Sequence, residues 1–195
     1  MELDLHHNIL PPVGRPRVDA ALLLQDLRPS LCEGWSVLSP ADQFLHAAAH
    51  LFCDSVQRDR LRDLVDLDGL ARANGAGDAF WEATLGRATA LGLDEQFALA
   101  MRFLSHWLDT PMPETMRLRA LRAEAPWSMR RLDAALFSSA LTPALPDDEP
   151  GLRERIVDGL LLARYHRHRM PLHLLVPHLV HKWRAARSIE SQDQR

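Results

Sequence analysis

Two histidines, His46 and His50, stand four residues apart in a segment that is apolar at helical spacing. Residues four apart share a face of an α-helix, so this pair can supply two ligands to a zinc ion. Asp63 or Asp66, in the next predicted helix, can add a third. The residue after His46 is Ala47, not the glutamate that follows the first histidine in zinc peptidases. The alternative is that both histidines make hydrogen bonds that support helix packing.

A second group lies at the start of the chain, where polar and apolar residues alternate. Glu2, Asp4 and His6 fall on one face of an extended segment, and two leucines fall on the other. The pattern predicts a short, half-buried β-strand. Asp4 and His6 can ligate a metal ion from that face. Alternatively, they are polar residues on the solvent side of an edge strand.

Charged residues also mark the segment that contains Asp63 and Asp66. Arg62 can contact a triphosphate if its helix borders an active cleft, because a guanidinium recognises phosphate oxygens. The alternative is a solvated helix face whose ion pairs each contribute little to stability.

The C-terminal region is rich in histidine and arginine: His166, His168, His173, His178 and His181, with Arg164, Arg167 and Arg169. Such a region can bind phosphate or nucleic acid, or titrate near neutral pH. Leucines and valines intervene over residues 174–179, which favours an amphipathic helix that docks on another surface.

The elements that must position these residues are helices. Ser39-Pro40-Ala41-Asp42 is a strong helix start, with serine as N-cap and proline at the first helical position. Apolar spacing and stop signals predict helices over 18–27, 39–52, 58–73, 78–91, 94–108, 114–123, 127–141 and 152–167, and a last helix from 171. A second short strand is predicted over 35–38. Four successive helices joined by short turns favour an antiparallel bundle.

Composition bounds the class of protein. The 195 residues include 47% hydrophobic and 25% charged residues, which is ordinary for a globular protein. A formal net charge of −3 gives no strong nucleic-acid signal. We expect a cytoplasmic protein without a secretory signal or membrane span. Cys32 and Cys53 are expected to be buried free thiols, and arginine-rich composition is typical of a GC-rich bacterial genome.

Three segments together resemble a known family. They are Leu3-Asp4-Leu5-His6-His7, then Val37 to His46 followed by Ala49-His50-Leu51, then Leu61-Arg62-Asp63-Leu64-Val65-Asp66-Leu67. Their order and spacing look like the C-terminal part of the uncharacterised bacterial nucleotidyltransferases, within the DNA polymerase-β superfamily. The resemblance covers about residues 2–113.

The resemblance implies a reaction and a role for Asp4. Members of the superfamily transfer a nucleotide from an NTP to an acceptor with Mg²⁺, which two or more carboxylates on adjacent strands hold. Asp4 falls where the third carboxylate of the family lies, and His6 points to the same side. The strands near the N-terminus would then complete a polymerase-β-like sheet.

The glycine turn and Asp-x-Asp that precede this carboxylate in the superfamily have no counterpart before Asp4. Asp66-Leu67-Asp68 matches the Asp-x-Asp pattern in sequence. In a helix, however, its two carboxylates lie about 200° apart around the helix axis. We therefore expect neither Mg²⁺ nor NTP to bind this chain alone. A fragment, a degenerate homologue and a subunit of a composite site all remain open.

The sequence thus predicts a mainly α protein: a helical bundle with one or two short N-terminal strands. We divide it into 1–38 (strands and first helix), 39–113 (bundle), 114–187 (C-terminal helices) and 188–195 (tail). The nucleotidyltransferase interpretation competes with a non-catalytic helical module that binds a protein partner. An exposed strand edge also predicts self-association.

Overall fold

The computed structural model describes residues 8–11, 14–53, 60–75, 77–122, 127–143, 150–169 and 177, with side chains outside 119–131. Within these ranges the chain is mainly helical, as predicted, and it has one two-stranded antiparallel sheet near the N-terminus. The elements are α1 (Ala20–Leu24), β1 (Arg28–Pro29), β2 (Ser36–Val37), α2 (Pro40–Cys53), α3 (Leu61–Asn74), α4 (Asp78–Leu91), α5 (Asp94–Trp107), α6 (Glu114–Arg122), α7 (Trp127–Leu141) and α8 (Leu152–Arg169). The predicted strand over 2–7 and nearly all of the predicted last helix lie outside the described residues.

Helix α2 begins where the sequence predicts. The Ser39 hydroxyl accepts a hydrogen bond from the Asp42 backbone N–H at 3.3 Å, which satisfies a donor that the helix itself leaves unpaired. Gln43 closes the same turn by donating from its side chain to the Leu38 carbonyl at 2.7 Å. The start of α2 is therefore held by two side-chain hydrogen bonds, one to the Ser39 hydroxyl and one from Gln43.

An aromatic cluster joins α2 to the helices around it. Phe44 of α2 is fully buried and meets Phe80 and Trp81 of α4 and Phe97 of α5 edge-on, with ring centroids 5.9–6.3 Å apart. Edge-to-face pairs of this kind add to the stabilisation that comes from buried apolar area. Helix α2 is thus the central helix of the bundle, and α3, α4 and α5 pack against it.

The C-terminal helices attach to the same core. Helices α7 and α8 pack against each other, and Phe137 of α7 meets the Phe52 ring of α2 at 5.1 Å. Val157 and Leu161 of α8 are buried on the side that joins the core. Arg164 of α8 also donates a hydrogen bond to the Phe52 carbonyl, which brings α8 close to the last turn of α2.

The N-terminal part differs from the sequence prediction in one respect. Helix α1 spans Ala20–Leu24 and not 18–27. Asp19 caps it by accepting a hydrogen bond from the Ala21 N–H at 2.9 Å. The chain leaves the helix early because Arg28 and Pro29 pair with Val37 and Ser36 to form the sheet. The predicted strand over 35–38 corresponds to β2.

Two further expectations meet the structure here. No helix in the described part of the chain is both long and apolar enough to cross a membrane.

The expectation of two buried thiols is wrong for Cys32, which is exposed beside the sheet turn, whereas Cys53 is half-buried. The apolar neighbours of Cys32 misled the sequence argument, because Leu31 is itself fully exposed.

Candidate functional site

The predicted histidine pair lies on α2. The rings of His46 and His50 are half-buried, with their centroids 4.6 Å apart. Among the described residues, no three His, Cys, Asp or Glu side chains lie close enough together to hold a metal ion. A zinc site at this pair stays a prediction.

The charged residues of α3 separate into two groups. Arg62 and Asp66 are exposed, so Arg62 is available to a ligand from solvent. Asp68 instead accepts hydrogen bonds from Arg72 at 2.8 Å and from the Thr110 hydroxyl at 2.6 Å. Asp68 therefore connects α3 to the residues that follow α5. Asp66 and Asp68 both lie on α3, in the helical conformation that the sequence argument assumed.

The candidate ligands Asp4 and His6 lie outside the described residues, but residues 8–11 and 14–18, which come after them, are described. The Asn8 side chain donates to the Val18 carbonyl at 2.7 Å. The Arg15 backbone N–H donates to the carbonyl of His168 at 2.5 Å. Two hydrogen bonds thus hold residues 8–11 and 14–18 in place, and one of them reaches the end of α8.

Gly14 lets this segment approach α8 closely. A Cβ atom added to Gly14 would lie 3.0 Å from the His168 carbonyl oxygen and 3.3 Å from the Arg169 Cα. Contacts this short with backbone atoms would require the segment or the helix to shift by a few tenths of an ångström. The glycine therefore permits the Arg15–His168 hydrogen bond.

A cleft of about 130 Å³ opens where the N-terminal segment, α2 and α8 meet. We call it the His50 cleft. Its lining consists of Leu10, Pro11, Gly14, Arg15 and Pro16 from the segment, His50 and Cys53 from α2, and Tyr165, His168 and Arg169 from α8. Four of these side chains are basic and none is acidic. The Arg169 guanidinium hydrogen-bonds the Tyr165 hydroxyl and lies 5.3 Å from the centre of its ring.

Behind the cleft, Arg164 of α8 is buried among two carboxylates. Its guanidinium donates to Glu95 of α5 at 2.6 Å, to Asp133 of α7 at 3.1 Å and to the Phe52 carbonyl of α2 at 2.9 Å. The Arg164 side chain is 8% exposed and also lies 5.1 Å from the centre of the Phe137 ring. One arginine therefore joins four helices.

This cluster shifts the pKa values of its members in different directions. Burial alone would raise the pKa of Glu95, but the charge and hydrogen bond of Arg164 hold it below its usual value. Burial raises the pKa of Asp133 despite Arg164, and Glu95 raises it further. Burial lowers the pKa of His168, and the positive charges of Arg164 and Arg167 act in the same direction, whereas Glu95 opposes them.

A family model described as uncharacterised nucleotidyltransferase matches residues 1–109. The chain belongs to this nucleotidyltransferase family. The match confirms the resemblance carried by the motifs at the N-terminus, α2 and α3. A comparison with curated proteins and one with solved structures each gave no match.

In this member of the family, the described motif residues mostly build the bundle. Ser39 caps α2, and the fully buried carboxylate of Asp42 pairs with Arg87 of α4 at 2.8 Å through two nitrogens. Leu64 and Leu67 of α3 are also fully buried. These residues of the family motif hold helices together. His46 and His50 are half-buried and Arg62 is exposed, so solvent reaches all three side chains.

The sequence argument missed the Arg164 cluster and the His50 cleft. One signal was present in the sequence. Leu161 follows Val157 by four residues and Arg164 follows Leu161 by three, so Arg164 lies on the apolar stripe of its helix. A charged residue in such a position predicts a buried partner of opposite charge. The cleft joins residues more than a hundred positions apart, and no local pattern encodes it.

The pKa of His168 predicts a pH dependence of stability. Because the folded state lowers this pKa below 6.5, the unfolded state binds the proton more tightly. We expect the free energy of unfolding to fall as pH decreases from about 6.5, and the His168→Gln variant to lose less over that interval. Urea unfolding at pH 7.5 and 5.5, in a buffer without phosphate, measures the difference. An equal change in the neighbouring His166→Gln variant would contradict the assignment.

Proposed function

We propose that this chain is the helical part of a nucleotidyltransferase that transfers a nucleotide from an NTP to an acceptor hydroxyl with Mg²⁺. The family match over residues 1–109 is the observation that carries the proposal. Asp4 is proposed as one carboxylate of the metal centre, His6 as its neighbour and Arg62 as a triphosphate contact. The acceptor is a molecule whose hydroxyl attacks the α-phosphate.

The described side chains do not by themselves fit a two-metal centre. Divalent cations in such a centre need several oxygen ligands, and the described residues contain no group of three candidate ligands. We propose that the remaining carboxylates come from polypeptide outside these 195 residues, and that the chain alone holds neither Mg²⁺ nor Mg²⁺-bound NTP.

The fold is consistent with helices that position the N-terminal part of the chain. The chain reaches Asn8 four residues after Asp4, and the bonds from Asn8 to Val18 and from Arg15 to His168 attach that part of the chain to the bundle. A rigid bundle that fixes the chain just after a catalytic carboxylate would position it against the rest of the site. Accurate placement of reacting groups is a large part of enzymatic rate acceleration.

The test compares the 195-residue chain with a longer polypeptide translated in frame from the DNA upstream of Met1. If that polypeptide carries a glycine turn and Asp-x-Asp, we expect it to bind NTP in a Mg²⁺-dependent way and to release pyrophosphate. Asp4→Asn should abolish the release, because it removes a negatively charged metal ligand. Glu2→Gln, two residues away, is the matched control and should retain activity.

Two results would contradict the proposal. Pyrophosphate release by the 195-residue chain alone, lost in Asp4→Asn, would show that no other ligands are needed. Full activity of Asp4→Asn in the longer polypeptide would show that this carboxylate has no role in the reaction.

A second function, a non-catalytic helical module that binds a protein partner or a second copy of itself, is favoured by a different observation. Leu152, Ile156 and Leu160 are spaced four apart on α8, and all three are exposed. An apolar stripe at this spacing on a helix is suited to packing against another helix. Under this alternative, a stop codon directly upstream of Met1 and no transfer activity in any partner complex are expected.

A further inference from the structure

We infer that the His50 cleft binds a phosphate group, either inorganic phosphate or the phosphate of a small phosphomonoester. The inference concerns residues other than those proposed for the metal centre, and it needs no divalent cation. It rests on the side chains that three separate segments bring to one cleft.

The charge of the lining is the first argument. Arg15 and Arg169 carry permanent positive charges, and His50 and His168 add imidazole hydrogen-bonding groups to the same cleft. None of the residues that line the cleft is acidic, although the chain as a whole has a formal net charge of −3. Guanidinium groups recognise phosphate oxygens through paired hydrogen bonds, so this local excess of positive charge suits a dianion.

The second argument is that His168 has unused hydrogen-bonding capacity. Its Nε2 atom is buried and has no hydrogen-bond partner among the described residues. A buried polar atom without a partner is costly, and a phosphate oxygen that reached Nε2 from the cleft would remove the cost. His168 is also held in place, because its carbonyl oxygen accepts the hydrogen bond from the Arg15 N–H.

Arg169 is similarly prepared to bind an anion. Its guanidinium lies against the Tyr165 ring and hydrogen-bonds the Tyr165 hydroxyl. A stacked arginine loses little side-chain freedom when it binds, and the planar group still has donors left over. The simpler explanation is that Arg169 and His168 only complement the negative end of the α8 dipole. That explanation does not account for Arg15 and His50, which come from other segments.

The size of the cleft limits the ligand. A volume of about 130 Å³ holds a phosphate group with a few waters, since each water occupies about 30 Å³. Pockets for drug-sized ligands are usually about 300–1,000 Å³, so a whole nucleotide would not fit inside. The ligand is therefore phosphate itself or a molecule whose phosphate alone enters the cleft.

The test is a titration of the full 195-residue chain with inorganic phosphate in the presence of EDTA. Calorimetry and the NMR signals of the histidine side chains measure the binding. We expect saturable binding that shifts the His168 signals. The double variant Arg15→Gln/Arg169→Gln should bind about tenfold more weakly or worse, because it removes both permanent charges. A parallel titration with a sugar phosphate separates the two sources of the group.

The matched control is Arg17→Gln/Arg167→Gln. Both control residues are exposed, each stands two positions from a cleft arginine, and the change in net charge is the same. This variant should retain phosphate binding. An absence of saturable binding to the wild-type chain at millimolar phosphate, or an equal loss in both double variants, would overturn the inference. Circular dichroism verifies that each variant is folded.

Discussion

Replacing Arg164 with methionine is expected to lower the free energy of unfolding by about 3–5 kcal/mol, because it leaves two carboxylates without their shared cation. The arginine side chain is 8% exposed and bonds Glu95, Asp133 and the Phe52 carbonyl. Methionine fills much of the same space but donates no hydrogen bond. Urea unfolding of both proteins at pH 7 measures the loss.

The control for this prediction is Arg167→Met on the same helix turn. Arg167 is exposed, and we expect its replacement to change stability by less than about 1 kcal/mol. A loss of similar size in both variants would show that helix propensity or net charge, not the buried cluster, explains the effect.

The pH dependence provides a second readout for Arg164→Met. Without the arginine, Glu95 and Asp133 repel each other in a partly buried site, so their folded-state pKa values should lie above the unfolded values. Acid groups with raised pKa values add stability below the unfolded pKa and lose it as pH rises. The difference between the variant and the wild type should therefore be smaller at pH 5 than at pH 7.

The helices could be predicted because their signals are local. The cap at Ser39 and the glycine that ends α4 each act within a few residues, and both occur where the sequence predicts them. Gly92 has φ of 67°, a conformation that costs other residues energy, so the end of α4 is fixed by one residue. The mainly α fold follows from several such signals.

The short sheet and α1 were harder to predict because pairing between strands is not local. Arg28 and Pro29 lie at the end of an apolar helical pattern, and only their pairing with Ser36 and Val37 makes them a strand. Four residues of strand leave almost no periodicity for a sequence argument to detect. The same limit explains why the sequence prediction extended α1 to residue 27.

The candidate site shows a related limit. The sequence predicted the His46–His50 pair correctly as neighbours on one helix, because four-residue spacing is a local property. It did not predict that His50, Arg15 and the end of α8 line one cleft, since that arrangement depends on how the helices pack. The family motif identified the nucleotidyltransferase family without distinguishing residues that bind ligands from residues that support the fold.

Asp42 is the clearest example of a motif residue that supports the fold. Its carboxylate is fully buried at the first turn of α2, where the helix dipole favours a negative charge. Arg87 of α4 donates two hydrogen bonds to it at 2.8 Å and a third to the Leu22 carbonyl at 3.0 Å. One ion pair therefore connects α1, α2 and α4 beside the N-terminal segment.

The two partners of this ion pair are expected to differ in what their loss costs. Arg87→Met should lower the free energy of unfolding by about 3–5 kcal/mol, because it leaves a fully buried carboxylate without its cation. Asp42→Asn should cost less, about 1–3 kcal/mol, because the Arg87 side chain is 21% exposed and can still reach water and the Leu22 carbonyl. Urea unfolding of the two variants measures the asymmetry.

A double-mutant cycle tests whether the cost comes from the unpaired charge. In Asp42→Asn/Arg87→Met no charge is left buried, so the double variant should be at least as stable as Arg87→Met alone. Losses that simply add would mean that the two side chains act independently, and the ion pair would then not be what holds α4 to the start of α2. A larger loss from Asp42→Asn than from Arg87→Met would instead locate the stabilisation in the interaction of the carboxylate with the helix N-terminus, since that interaction survives only when Asp42 keeps its charge.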